Sequence, residues 1–149
     1  MNTRPAFLFL LAVSFLSAHP MGNRSVSHYA RLTPSDRGLS ITYALDLAEI
    51  PSFELLREWK LERSSTRAQL DAKALHQARE WVANLNITID GQPLRATVYA
   101  AQLHIADGAG SLPIIRLTAK AFAPTQPGLL RYEDRNYPDR AGWKEIVID

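Results

Sequence analysis

The sequence predicts an α+β fold, mainly an antiparallel β-sandwich of about seven strands with a two-helix insertion. Three observations point there. Apolar residues alternate with polar ones over short stretches separated by Gly, Pro, Asp and Asn turns, both before residue 48 and after residue 86. Between these regions, two stretches carry apolar residues at helical spacing, and neither stripe can be buried without something to pack on. A length of 149 residues, 46% hydrophobic and 21% charged, suits one domain with one core.

Met1 to Ala18 reads as a signal peptide, with Arg4 as its positive n-region and Ala6 to Phe15 as an apolar run too short to span a bilayer comfortably. Cleavage after Ala18 leaves a small residue at the cut but Leu16 two positions earlier, a poor match. Cleavage after Ser17 is the rival, and retention as an anchor is a third outcome. No other apolar stretch is long enough to cross a membrane, so residues 19–149 read as a single extracytoplasmic β-rich domain, periplasmic or secreted and in some settings membrane-associated. The chain stops at Asp149 directly after an apolar strand, which reads as the cut end of a longer protein.

Met21 to Asn23 is turn-like. From Ser25 to Leu32, Val26, His28, Ala30 and Leu32 share one strand face, while Ser27, Tyr29 and Arg31 share the other. The cluster Thr33 to Gly38 turns the chain, and Leu39 to Leu47 alternates again, so the two strands form a hairpin. Pro51 and Ser52 end the strand and start a helix carrying Phe53, Leu56 and Trp59, with Ser52 as its N-cap. Ser64 to Thr66 offer a second cap. Arg67 to Leu85 is then a helix with Leu70, Ala74, Ala78, Trp81, Val82 and Leu85 on one stripe, opposite a wet face of Asp71, Lys73, Gln77 and Glu80. Further strands follow at Ile87 to Asp90, Leu94 to Ile105, Leu112 to Phe122, Leu129 to Glu133 and Trp143 to Ile148.

Composition excludes several functions. There is no cysteine, hence no disulfide framework, thiol nucleophile or thiolate metal site. The formal charge is +2, falling by one if Arg4 leaves with the leader, and no basic stripe marks a nucleic-acid surface. GxSxG, HExxH, Walker and GxGxxG motifs are all missing, which argues against an enzyme.

Three constellations carry chemistry. If the leader is cut after Ala18, His19 offers a free amine beside its own imidazole, and His28 would complete a three-nitrogen site suited to copper or nickel. The competing reading makes His28 a half-buried strand residue. Asp46 and Glu49, with His104, are further candidate ligands, although Asp46 sits on the polar strand face and Glu49 can serve the following helix. His76 lies on the wet side of its helix. The third is Tyr132 to Glu145 (YEDRNYPDRAGWKE), dense in charged and aromatic residues around Pro138 and Gly142. It reads as an ordered turn, with Arg135 or Arg140 paired to Asp134 or Asp139 and Trp143 plugging the core or an interface. Alternatively it is a docking loop using Tyr132, Asn136, Tyr137 and Trp143.

The motifs AHPMGNRSVSHYARL, ITYALDLAEIPSFE and DRNYPDRAGWKEI resemble the extracytoplasmic N-terminal region of certain bacterial nickel/cobalt-type membrane transporters. Proteins of that family begin with a signal peptide and a β-rich soluble domain, followed by multi-span segments bearing histidine and acidic motifs. The matching positions are His19, Pro20, Gly22, Asn23, His28 and Tyr29, then Asp46, Glu49 and Pro51, then Asn136, Tyr137, Gly142, Trp143 and Glu145. The resemblance implies association with a membrane transporter segment or subunit. It also implies a role with a divalent transition metal, nickel or cobalt, whereas the membrane part that would move the ion is not in this chain. From another class, the alternative expectation is a metal-free β-sandwich interaction module that docks a membrane partner.

Overall fold

The computed structural model describes residues Met21–Asp149. After a short 3-10 turn at Met21–Arg24, the described chain runs β1 (Val26–Ser35), β2 (Gly38–Leu47), α1 (Glu49–Trp59), α2 (Arg67–Ala83), β3 (Leu85–Ile89), β4 (Gln92–Pro93), β5 (Thr97–Asp107), β6 (Pro113–Ala123), β7 (Leu130–Asp134) and β8 (Lys144–Ile148). The strands form a five-stranded sheet ordered β5-β6-β2-β1-β8 and a three-stranded sheet ordered β4-β3-β7. All pairings are antiparallel except β8, which runs parallel to β1. The expected α+β sandwich with a helical excursion is what forms, with eight strands among the described residues.

One face of the large sheet holds the core. Val26, Ala30 and Leu32 of β1, Leu39, Ile41, Tyr43, Leu45 and Leu47 of β2, and Ile115, Leu117, Ala119 and Ala121 of β6 are all buried on it. The helices pack against β5 and β6, bringing Leu55, Leu56, Trp59, Leu70, Ala74, Ala78 and Trp81 into the same cluster. Strand β3 adds Leu85 and Ile87. Burial of this apolar surface is the main stabilising term, at about 25 cal/mol per Å² removed from water. The opposite sheet face carries Ser40, Arg116, Lys120, Gln102 and His104 in contact with solvent.

Several boundaries differ from the sequence expectation, each for a local reason. Strand β1 continues through Pro34, because the tight turn needs only Asp36 and Arg37 between paired Ser35 and Gly38. Helix α1 starts at Glu49, with Ala48 as N-cap and Pro51 inside its first turn, where a missing N–H is harmless. Ser52 is therefore not a cap. It is fully buried, and its hydroxyl donates to the Leu47 carbonyl at 2.8 Å. Helix α2 ends at Ala83 and is capped by Thr66, whose hydroxyl accepts from the Gln69 N–H while Gln69 Oε1 accepts from the Thr66 N–H, a reciprocal capping box. Gln77, expected on the wet face, is buried because its Oε1 accepts from the Trp59 indole at 3.2 Å. The expected Leu94–Ile105 strand begins only at Thr97 and runs on to Asp107 as β5, with a bulge at Val98/Ala100, and the two-residue β4 forms just before the expected start.

Candidate functional site

Alternation along β1 turns His28 onto the core face, where it is 5% exposed. Its register partners are Leu45 on β2 and Lys144 on β8. Tyr43 sits opposite Ala30 on the same face, and β7 ends at Asp134 beside Leu85. These elements bring together a polar cluster inside an otherwise apolar core. His28 Nδ1 lies 2.6 Å from Asp134 Oδ2, with the two side chains 3% and 5% exposed. Because a carboxylate only accepts, the shared proton belongs to Nδ1. The Tyr43 hydroxyl donates to the same oxygen at 2.8 Å and lies 3.3 Å from Nδ1. Asn136 Nδ2 donates to the Tyr43 hydroxyl (3.1 Å), the Trp81 carbonyl (2.9 Å) and Asp134 Oδ1 (3.1 Å), and its backbone N–H also reaches Oδ1 at 2.9 Å. Asn84, the C-cap of α2, donates to Asn136 Oδ1 at 3.2 Å. The cluster thus ties β1, β2, β7 and the end of α2 together.

Its electrostatics follow from burial. Asp134 loses hydration, which pushes its carboxyl upward, but bonds from His28, the Asn136 N–H and Tyr43 outweigh this and hold it below the ordinary carboxylate value. Burial, then the Asp134 charge, pushes the Tyr43 hydroxyl far up, so it stays a donor at any physiological pH. The same two causes raise Tyr132. Burial, reinforced by the Glu58 charge, raises Tyr137 to about 12. One atom is left over: His28 Nε2 is buried and makes no hydrogen bond. His28, Tyr132, Asp134, Lys144 and Ile146 help to line a cavity of about 70 Å³ beside it.

The remaining ligand candidates lie elsewhere. Ser27, Asp46, Arg116 and His104 are successive register partners across β1, β2, β6 and β5, on the face opposite the core. Asp46, Glu49 and His104 line one depression there with Asn23 and Arg116. Their free valences are committed or separated. Asp46 accepts from Arg116 at 2.7 Å, and Arg116 stands between it and His104. Glu49 accepts from the Ala109 N–H at 2.8 Å and also from its own backbone N–H at the start of α1, and both bonds lower its carboxyl. Among the described residues, no three His, Asp or Glu side chains gather closely enough to hold a metal ion. The expected set His28, Asp46, Glu49 and His104 is therefore not one site: a strand sends residues of even number such as 28 and odd partners such as 45 inward, and Asp46 outward. His19 lies outside the described residues.

The segment Tyr132 to Trp143 is divided the same way. Asn136 (3% exposed) and Tyr137, whose ring meets Trp81 edge-on at 6.0 Å, face inward, and Tyr132 packs against the core. They hold the segment rather than present it. Trp143, expected in the core or an interface, is 81% exposed. The expected ion pairs also change. Arg135 bonds Glu133, Arg140 bonds Glu54 at 2.5 Å on α1, and Asp134 belongs to His28. Gly142 has φ +150°, and a Cβ there would collide with the Val26 carbonyl, so only glycine lets the chain run this close to β1. Val26 N–H donates to Ala141 and His28 N–H to Trp143, both at 2.8 Å, so the backbone beneath the indole is pinned.

Compared with protein-family models, curated proteins and solved structures, the chain matches none. Sequence reasoning flagged His28, Asp134 and Asn136 individually but missed the cluster that joins them. His28 and Asp134 are 106 positions apart, and no local pattern encodes that contact.

Proposed function

We propose that this chain is the extracytoplasmic interaction domain of a nickel/cobalt-type transition-metal transporter, docking a membrane partner through the segment that ends at Trp143. One observation carries the reading: a tryptophan 81% exposed on backbone that β1 holds rigid. A large aromatic side chain at low conformational cost is the residue type that anchors interfaces. The same residue closes the motif DRNYPDRAGWKEI, one of the three that resemble the transporter family. The test is a photo-crosslinking side chain at position 143, in cells that carry such a transporter, with position 40 on the outer sheet face as control. Crosslinking to the transporter polypeptide from 143 and not from 40 is expected. Equal yields from both positions, or none from 143 in a folded chain, would end the proposal.

A second reading keeps support from His28. A ligating imidazole characteristically donates its other N–H to a carboxylate, as Nδ1 does to Asp134, leaving Nε2 free. In this reading His28 and His19 bind nickel, cobalt or copper, and Asp46, Glu49 and His104 take no part. Calorimetry with Ni(II) and Cu(II), on wild type, His28→Ala and Asp46→Ala, decides it, after mass spectrometry establishes the mature N-terminus. Loss of binding only in His28→Ala supports the site. Equal affinity in all three removes it.

A further inference from the structure

Edge strands differ sharply in how they are protected. Strand β5 carries a bulge, and Arg67 of α2 donates to its Leu103 carbonyl at 3.1 Å. The two-residue β4 contains Pro93, and β7 is flanked and lined by Arg131, Glu133, Asp134 and Arg135. These are the usual devices against edge-to-edge pairing. Strand β8 (KEIVI) is charged only at its start, through Lys144 and Glu145; over Ile146–Ile148 it has no charge, no proline and no bulge, and among the described residues it pairs with β1 alone.

The bonds at its ends set the orientation of its backbone. Trp143 gives its carbonyl to the His28 N–H, and Asp149 gives its N–H to the Leu32 carbonyl. Alternation in a parallel ladder then turns the N–H and C=O of residues 145 and 147 toward β1, and those of Lys144, Ile146 and Ile148 toward the open edge. The side chains of these same three residues project on the core side of the sheet, level with His28, Ala30 and Leu32. Among the described residues neither helix packs on β8, and Ile146 is 52% and Ile148 60% exposed. Free backbone groups and exposed apolar side chains therefore coincide.

We infer that β8 pairs antiparallel with β8 of a second copy of this chain, joining the two five-stranded sheets into one. A second copy fits this edge in one symmetric register, and like-charge repulsion selects it. Centred on Ile146, the pairing sets Ile146 opposite Ile146, Lys144 opposite Ile148 and Glu145 opposite Val147, with no like charges facing directly. Centred one residue earlier, Glu145 meets Glu145; one residue later, Glu145 meets Asp149. Like charges directly opposite destabilise a strand pair. The Ile146-centred register also places every outward N–H opposite an outward C=O, so the contact is isologous and closes at two copies. It uses residues 144–148 and does not depend on the transporter reading.

The chain contains no cysteine, so one introduced thiol reports cleanly. A hydrogen-bonded antiparallel pair has its Cα atoms about 5.5 Å apart, within the ~4.4–6.8 Å that a disulfide spans. Light scattering of the wild-type chain is expected to give twice the chain mass. Under mild oxidant, Ile146→Cys is expected to form a disulfide-linked dimer far faster than Ser40→Cys, and Ile146→Lys is expected to be monomeric with an unchanged circular dichroism spectrum. Wild type that stays monomeric at its highest soluble concentration overturns the inference. So does a dimer that survives Ile146→Lys, or crosslinking at 146 no faster than at 40. Should Ile146→Lys fail to fold, the wild-type mass and the two cysteine variants decide.

Discussion

Replacing Asp134 with alanine removes the acceptor on which four groups converge. His28 Nδ1–H, the Tyr43 hydroxyl and the Asn136 N–H lose their bond, and Asn136 Nδ2 loses one of three. Both side chains of the His28–Asp134 pair are almost fully buried, so water cannot replace what is lost. Removing this acceptor strands three buried donors at about 1–3 kcal/mol each, so a total loss of about 3–5 kcal/mol is expected. That is a large share of the roughly 5–15 kcal/mol by which a domain is stable. For a chain of this size the melting temperature should fall by about 10–20 °C. Urea unfolding followed by tryptophan fluorescence measures the free energy directly, and Tyr43→Phe in a double-mutant cycle isolates the shared part. A loss below about 1 kcal/mol would show that the cluster is not the lock between the two sheets, and the reasoning would fail.

The same pair sets a pH dependence. Asp134 titrates below its unfolded value, so its contribution is complete above about pH 4 and disappears as pH falls through the still lower folded value. Acid unfolding of wild type should therefore steepen below about pH 4, and Asp134→Asn should flatten it; identical acid limbs would contradict the assignment. Gly142→Ala forces a side chain into the Val26 carbonyl at positive φ and should cost about 1–3 kcal/mol, with hydrogen exchange rising first at Val26 and His28. Thr66→Ala removes the α2 capping box and should cost about 1 kcal/mol, visible as a lower urea midpoint at unchanged slope. Asp46→Ala breaks an exposed pair and should change stability by no more than about 1 kcal/mol, less still at high salt; a larger loss would mean that Arg116 needs its partner.

Local chemistry was enough for much of the fold. Alternation at period two grouped Val26, His28, Ala30 and Leu32 on one face of β1, the face that the structure buries, because a pleated strand leaves no other choice. Thr66 and the stripe Leu70, Ala74, Ala78, Trp81 and Val82 marked α2 for the equivalent reason at period 3.6. Gln77 escaped that logic because a buried amide is stable only beside a donor such as the Trp59 indole, and that donor comes from another helix. Strand order, the parallel addition of β8 and the meeting of His28 with Asp134 were decided by tertiary packing alone. A side chain's outward or inward sense is set by its neighbours in sequence, but its partner is set by which distant strand the sheet brings alongside. The candidate ligands show the consequence. His28, Asp46, Glu49 and His104 are all present in the chain, yet pairing placed an arginine between two of them and the thickness of a sheet between His28 and the rest.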